Sequence, residues 1–192
     1  ILDDAYLEVF SEVRAGDTER EVHSRIVGSC LRQGAKYVHG LLNCSRNPMI
    51  FGGESHLRLQ KGDVILNDYT SIYKSYTGHQ NRTVVIGQPS DEQQRTYRDV
   101  RDLYRSTIDL CVPGATVESI FRYADEGFRG LGFKERIILI GHGVGAYWMQ
   151  QEPYFVRESE HVLEEGMVVA MEPGVSYWWL QDLVHVTADG PK

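Results

Sequence analysis

No segment of this chain offers the run of about 18 or more apolar residues that a membrane-spanning helix needs, and none has the charged-then-apolar layout of a signal peptide. Basic character is also scarce. Lys and Arg total 20 against 27 Asp and Glu, for a formal net charge of -7, with no long basic run. A chain that cannot neutralise a row of phosphates is not read as a nucleic-acid binder. Cysteine is sparse and odd in number. Cys30, Cys44 and Cys111 lack metal-type spacing, which points to a reducing, cytoplasmic compartment. Disorder is excluded as well, because 42% of the residues are hydrophobic and 10% aromatic, enough to build a core. The 192 residues suit one sizeable domain. The chain opens on Ile1 rather than Met and enters a helical pattern at once, so it is read as the C-terminal part of a longer protein.

What is present is a regular alternation of caps, helices and glycine-led strands. Leu2, Tyr6, Val9 and Phe10 share one helical face over Leu2 to Val13. Thr18 with Glu21 forms a capping box for a helix ending near Gln33, and Gly34 follows as its C-terminal glycine. Tyr37 to Leu42 is β-prone, and Asn43 to Ser55 is a loop rich in Asn, Pro and Gly. Gly62-Asp63 opens a strand at Val64-Ile65-Leu66, and Arg82 to Ile86 reads as another. Ser90 with Gln93 caps a long helix reaching about Cys111. Pro113-Gly114 breaks it, and Thr116 caps the next, which ends at Gly132. Ile137 to Ile140 reads as a buried strand running into a loop, Gly141-His142-Gly143-Val144-Gly145.

The two halves echo each other. Gly16 leads to Gly34 and Gly114 to Gly132, each after 18 residues, the second pair lying 98 residues after the first. Gly62 precedes an apolar strand and then Asp68, six residues on; Gly166 precedes Val168-Val169-Ala170 and then Glu172, also six residues on. Matching order and spacing favour an internal duplication of an α+β unit, with helices on the sheet and a pocket between the halves. Asp68 and Glu172 would converge there, joined by His79, His142 and Gln181. Carboxylates and imidazoles at one pocket can hold a divalent ion or move protons. Each residue also has a plain reading: Asp68 as a turn cap, His79 as a surface imidazole, Glu172 as a solvated carboxylate before Pro173-Gly174, and Gln181 as an ordinary hydrogen-bonding side chain.

Several motifs together resemble the creatinase/aminopeptidase (pita-bread, M24) superfamily, in its Xaa-Pro aminopeptidase and prolidase branch. They are Gly62-Asp63-Val64-Ile65-Leu66-Asn67-Asp68-Tyr69, Tyr73-Lys74-Ser75-Tyr76 with Arg82-Thr83, Gly141 to Gly145, Gly166-Met167-Val168 with Met171-Glu172-Pro173-Gly174, and Val186 to Gly190. The resemblance spans the chain in order. It implies one α+β pita-bread domain over residues 1–192, pseudo-twofold, with a curved antiparallel sheet covered by helices, preceded by an N-terminal domain and dimeric in the full-length protein. Active peptidases of this family hold two ions with two Asp, one His and two Glu. Here the matching positions are Asp68, His79, His142, Glu172 and Gln181, so two of the five depart from the pattern. A family histidine before the first metal strand falls on Phe51, and another, after the glycine loop, falls near Met149-Gln150.

Two dications would set +4 against the two remaining carboxylates, a severe imbalance in a low-dielectric pocket. The resemblance therefore leaves one Mn, Zn or Fe ion held by Asp68, His79, His142 and Glu172, or no metal at all, as in creatinase. The implied function is hydrolysis of a C–N bond in a small amide, amidine or dipeptide-like substrate. His79, His142 and Glu172 would be catalytic, with Tyr76, Arg82 and Gln181 supporting the substrate. The competing reading is an inactive peptidase fold serving as a peptide- or protein-binding module. Tyr177-Trp178-Trp179 suits either, as a pocket wall or a dimer face.

Overall fold

The computed structural model describes residues 1–135, 137–146 and 150–192. Each half builds the same unit. Helices α1 (Leu2–Phe10) and α2 (Glu19–Arg32) pack on strands β1 (Tyr37–Cys44), β2 (Val64–Tyr73), β3 (Tyr76–Gln80) and β4 (Val84–Val85). Helices α3 (Asp91–Ile108) and α4 (Val117–Gly130) pack on β5 (Gly141–Gly143), β6 (Gln151–Tyr154), β7 (Val168–Met171) and β8 (Asp182–His185). The first sheet runs β1-β2-β3 with β4 also on β2, the second β6-β5-β7-β8, and every pairing is antiparallel.

The caps form as their residue types dictate. Thr18 and Glu21 exchange bonds at the start of α2, and Ser90 and Gln93 do so at α3. In α4, Val117, Ile120, Phe121, Ala124 and Phe128 recur at helical spacing and are all buried. Each large one contributes about 2 kcal/mol by leaving water. Two cores result. One gathers Tyr6, Val9, Val22, Ile26, Leu42, Ile65 and Tyr69; the other gathers Val117, Phe121, Phe128, Ile140, Phe155, Val169 and Met171. The duplication is written in the backbone as well. Gly16 and Gly114, Gly34 and Gly132, and Gly62 and Gly166 all adopt positive φ, between 88° and 103°.

The strand assignment around the glycine motif is reversed. Ile137–Ile140 is not a strand, and Ile138 is 74% exposed. The strand is Gly141–Gly143 itself. The reason is steric: a Cβ on Gly141 would lie 2.7 Å from the Ala170 carbonyl oxygen, and one on Gly143 2.3 Å from that of Glu152. Only glycine lets the neighbouring strands come so close. The 82–86 run shortens to Val84–Val85, and β3 lies before it, carrying His79. The two sheets meet through the bridges Asn81↔Gln181 and Tyr76↔Ala146.

Candidate active site

Asp68 on β2, His79 on β3, His142 on β5, Glu172 just after β7 and Gln181 just before β8 come together where the halves join. Register explains the placement. Thr70 stands opposite His79, two residues along β2 from Asp68, while Gly141 stands opposite Met171, just ahead of Glu172. His79 is 2% exposed, His142 and Gln181 0%, and Glu172 6%.

The cluster is hydrogen-bonded in one direction. His142 Nδ1 lies 3.0 Å from the Gly143 carbonyl oxygen. A carbonyl only accepts, so Nδ1 carries the proton and Nε2 presents a bare lone pair. That Nε2 has no hydrogen-bond partner among the described residues; Glu172 Oε1 is 3.8 Å away, beyond hydrogen-bond reach. His79 is occupied at both ends. Its Nε2 donates to Asp68 Oδ1 at 2.6 Å, and its Nδ1 accepts from the Gln181 amide at 3.1 Å. The same amide nitrogen donates to Glu172 Oε2 at 3.1 Å, leaving the buried Gln181 Oε1 without a partner among the described residues. The His79 and His142 rings lie 5.1 Å apart between centroids.

Burial dominates the titration of the two innermost groups. It pushes the His142 imidazole down to about 4, against the pull of the Gly143 carbonyl. It pushes the Glu172 carboxyl up to about 8, with the Asp68 charge adding to the rise.

Through Asp68 and Glu172 the cluster borders a pocket of about 330 Å³, also lined by Phe51, Ile137, Leu139 and Trp179, among others. Phe51 stands edge-on to Trp179 at 5.2 Å, so the position matching a family histidine is an aromatic wall. Of the other departure noted in the sequence, Met149 lies outside the described residues, and Gln150 lines the pocket.

Arg82 turns to the chain rather than to the pocket. It donates to the carbonyls of Asn81 and Gln181 at 2.8 Å each and to Asp182 Oδ1 at 2.7 Å. Tyr76 is 73% exposed and lines a different cleft, of about 480 Å³, with His79, Gln80 and Asp182. Sequence reasoning passed over Glu19, which has no local signal because its side-chain partners Cys44, Asn47 and Ser55 are distant in sequence. Among the described residues, no group of three or more His, Cys, Asp or Glu side chains is arranged to hold a metal ion.

Residues 1–188 match the model of metallopeptidase family M24. The chain belongs to this family. The M24 domain is 28% identical to the Xaa-Pro dipeptidase of Pyrococcus furiosus over 201 residues, covering 100% of this chain and 58% of that protein. It superposes on the X-Pro aminopeptidase of Thermotoga maritima with a TM-score of 0.91 at 25% identity, covering 99% of this chain and 56% of that one. On the prolidase from Pyrococcus furiosus the values are 0.90 and 27%, with 99% and 59% covered. The fold is the α+β pita-bread fold of these proteins. The M24 domain spans a little over half the length of the curated relatives it matches. No described helix is long and apolar enough to cross a membrane.

Proposed function

We propose that this M24 domain is the reaction-bearing part of a hydrolase that cleaves a C–N bond in a small amide, amidine or dipeptide-like substrate without the two-ion centre of its family. One observation carries the reading: the Nε2 of His142, without a hydrogen-bond partner among the described residues, buried beside Glu172, with its tautomer fixed by Gly143. The donors present do not fit two ions. Both nitrogens of His79 are engaged, and Gln181 places an N–H donor between His79 and Glu172, where a cation would need an acceptor.

In this scheme His142 Nε2 takes a proton from water as the water oxygen bonds to the substrate carbon. The proton then passes to the departing nitrogen as the C–N bond breaks. Glu172 holds the substrate at the same point. Phe51, Trp179, Ile137 and Leu139 receive its apolar side. Asp68, Glu172 and the Gln181 Oε1, which has no partner among the described residues, favour a substrate whose other end carries N–H donors, such as the ammonium of a dipeptide or an amidinium.

The test is a panel of Xaa-Pro dipeptides and small amides assayed with chelator, with Mn and with neither. The expected result is turnover that survives chelator and is lost on His142→Ala. Turnover that appears only with Mn, or that persists in His142→Ala, overturns the proposal.

A second reading is a binding module, favoured by the engagement of both His79 nitrogens within the cluster, one by Asp68 and one by Gln181. It predicts peptide binding without turnover in the same panel.

A further inference from the structure

Glu19 is the first residue of α2 and is fully buried, yet it is remote in sequence from the His142 site. A carboxylate so enclosed must be matched by donors, and among the described residues these belong to one stretch of chain, residues 44–55. The Cys44 N–H donates to Oε1 at 2.8 Å. The Asn47 amide donates to both oxygens, at 3.2 and 2.9 Å. The Ser55 N–H and hydroxyl donate to Oε2 at 2.9 and 2.7 Å. The α2 backbone adds two more ties, from the N–H of Glu19 to the Leu57 carbonyl and from that of Arg20 to the Ser55 carbonyl.

The stretch fixed this way reaches the pocket where the halves join and touches the other half there. The Asn47 carbonyl accepts from the Tyr177 hydroxyl at 2.6 Å. Its side-chain oxygen accepts from the Met49 N–H at 3.0 Å. Two residues further on is Phe51, held at φ 59°, a left-handed conformation that a bulky side chain adopts only when its surroundings impose it. In that conformation Phe51 stands edge-on to Trp179. Trp179 is anchored separately, by Thr83 and the Ser176 carbonyl. One side of the wall is thus fixed through Thr83 and Ser176, and the other hangs from Glu19.

We infer that Glu19 is a positioning residue for the pocket: by clamping residues 44–55 it seats Phe51 against Trp179 and so sets affinity for the apolar side of the substrate. This rests on reading the Asp68–Glu172 pocket as the substrate site. Glu19 itself touches no substrate, and its substitution leaves the His142 cluster in place.

The test compares Glu19→Gln, which keeps the shape but replaces one acceptor oxygen with a donor, with Asn47→Ala, which cuts the same tie more gently. Val22→Ala, on the same helix and in the same core but outside the clamp, is the control for general loss of stability. In protein labelled with 5-fluorotryptophan, the ¹⁹F resonance of Trp179 is assigned by its loss in Trp179→Phe. The expected result is that Glu19→Gln, Asn47→Ala and Phe51→Ala all displace this resonance, while Val22→Ala leaves it in place. With an Xaa-Pro dipeptide as substrate, KM rises about tenfold in Glu19→Gln, equivalent to about 1.4 kcal/mol of binding, with kcat within about twofold of the parent. A Trp179 resonance unmoved in both clamp variants overturns the inference, as does an equal displacement in Val22→Ala. Absence of turnover in the unmodified protein instead overturns the hydrolase reading, and the resonance still decides the role of Glu19.

Discussion

His142 Nε2 and Glu172 Oε1 face each other across 3.8 Å inside the joined halves, the imidazole fixed on its other side by the Gly143 carbonyl. A buried lone pair without a donor destabilises a fold by about 1–3 kcal/mol. The domain keeps one at the point where its two carboxylate-bearing strands converge. Packing does not require this, since an apolar side chain of similar size would remove the penalty.

His142→Leu therefore separates stability from activity. The variant forfeits the bond to Gly143 but no longer buries a bare nitrogen, so its unfolding free energy should stay within about 1 kcal/mol of the parent by urea titration. Turnover should fall by about 10²–10⁴-fold, the usual contribution of a positioned base. A variant that unfolds readily yet hydrolyses at the parent rate would refute both halves of this prediction.

The departures at His79 and Gln181 are testable by reversal. Gln181→Glu replaces the amide that now bonds Glu172 at 3.1 Å, and His79→Asp supplies a further carboxylate. Without metal the double variant should lose about 2–4 kcal/mol, because like charges are then confined in a buried space. Mn should restore it, and calorimetry should show Mn affinity at least about tenfold above the parent, since binding to the folded state alone raises stability. Tight binding of two Mn ions by the unaltered protein would contradict the proposed loss of the two-ion centre.

How far the sequence reveals this arrangement depends on whether the determining contact is local. The capping boxes at Thr18 and Ser90 are legible because cap and partner lie three residues apart. The duplication is legible because Gly62 and Gly166 each serve a left-handed turn before an apolar strand. The convergence of Asp68 and Glu172 follows from that duplication, and His142 joins them through the family resemblance. The strand at Gly141–Gly143 is not legible, because its glycines are required by the Ala170 and Glu152 carbonyls across the sheet. In the sequence, Glu19 looks like an ordinary acidic residue in the first turn of a helix. Only the fold brings Asn47 and Ser55 around it.

Glu19 also makes the fold acid-sensitive. Burial alone would raise its carboxyl, but the hydrogen bonds from Cys44, Ser55 and Asn47 outweigh it and hold the group below the usual carboxylate range. The folded state therefore binds this proton less readily than the unfolded chain. The resulting stability is complete above the unfolded carboxylate value of about 4.3 and is lost as pH falls through it toward the folded value. Urea midpoints from pH 7 to pH 3 should show the gap between the parent and Glu19→Gln closing below about pH 4.5. A gap that stays constant to pH 3 would assign the stabilisation to shape rather than to charge.

The glycine motif gives the last prediction. A methyl group on residue 143 would meet the Glu152 carbonyl oxygen at 2.3 Å and its carbon at 2.8 Å. Both are backbone atoms of the neighbouring strand β6, so no side chain can swing aside. Gly143→Ala should cost about 1–3 kcal/mol, as overpacking of a close-packed interior does, and should disturb the carbonyl that sets the His142 tautomer. Gly28, inside α2, is the counterpart. A methyl group there meets only the end of the flexible Arg32 side chain, at 3.4 Å, and alanine is the better helix former by up to about 1 kcal/mol. Gly28→Ala should therefore raise the urea midpoint and leave turnover unchanged, while Gly143→Ala lowers both. Equal effects at the two sites would mean that close strand approach is not what keeps glycine beside His142.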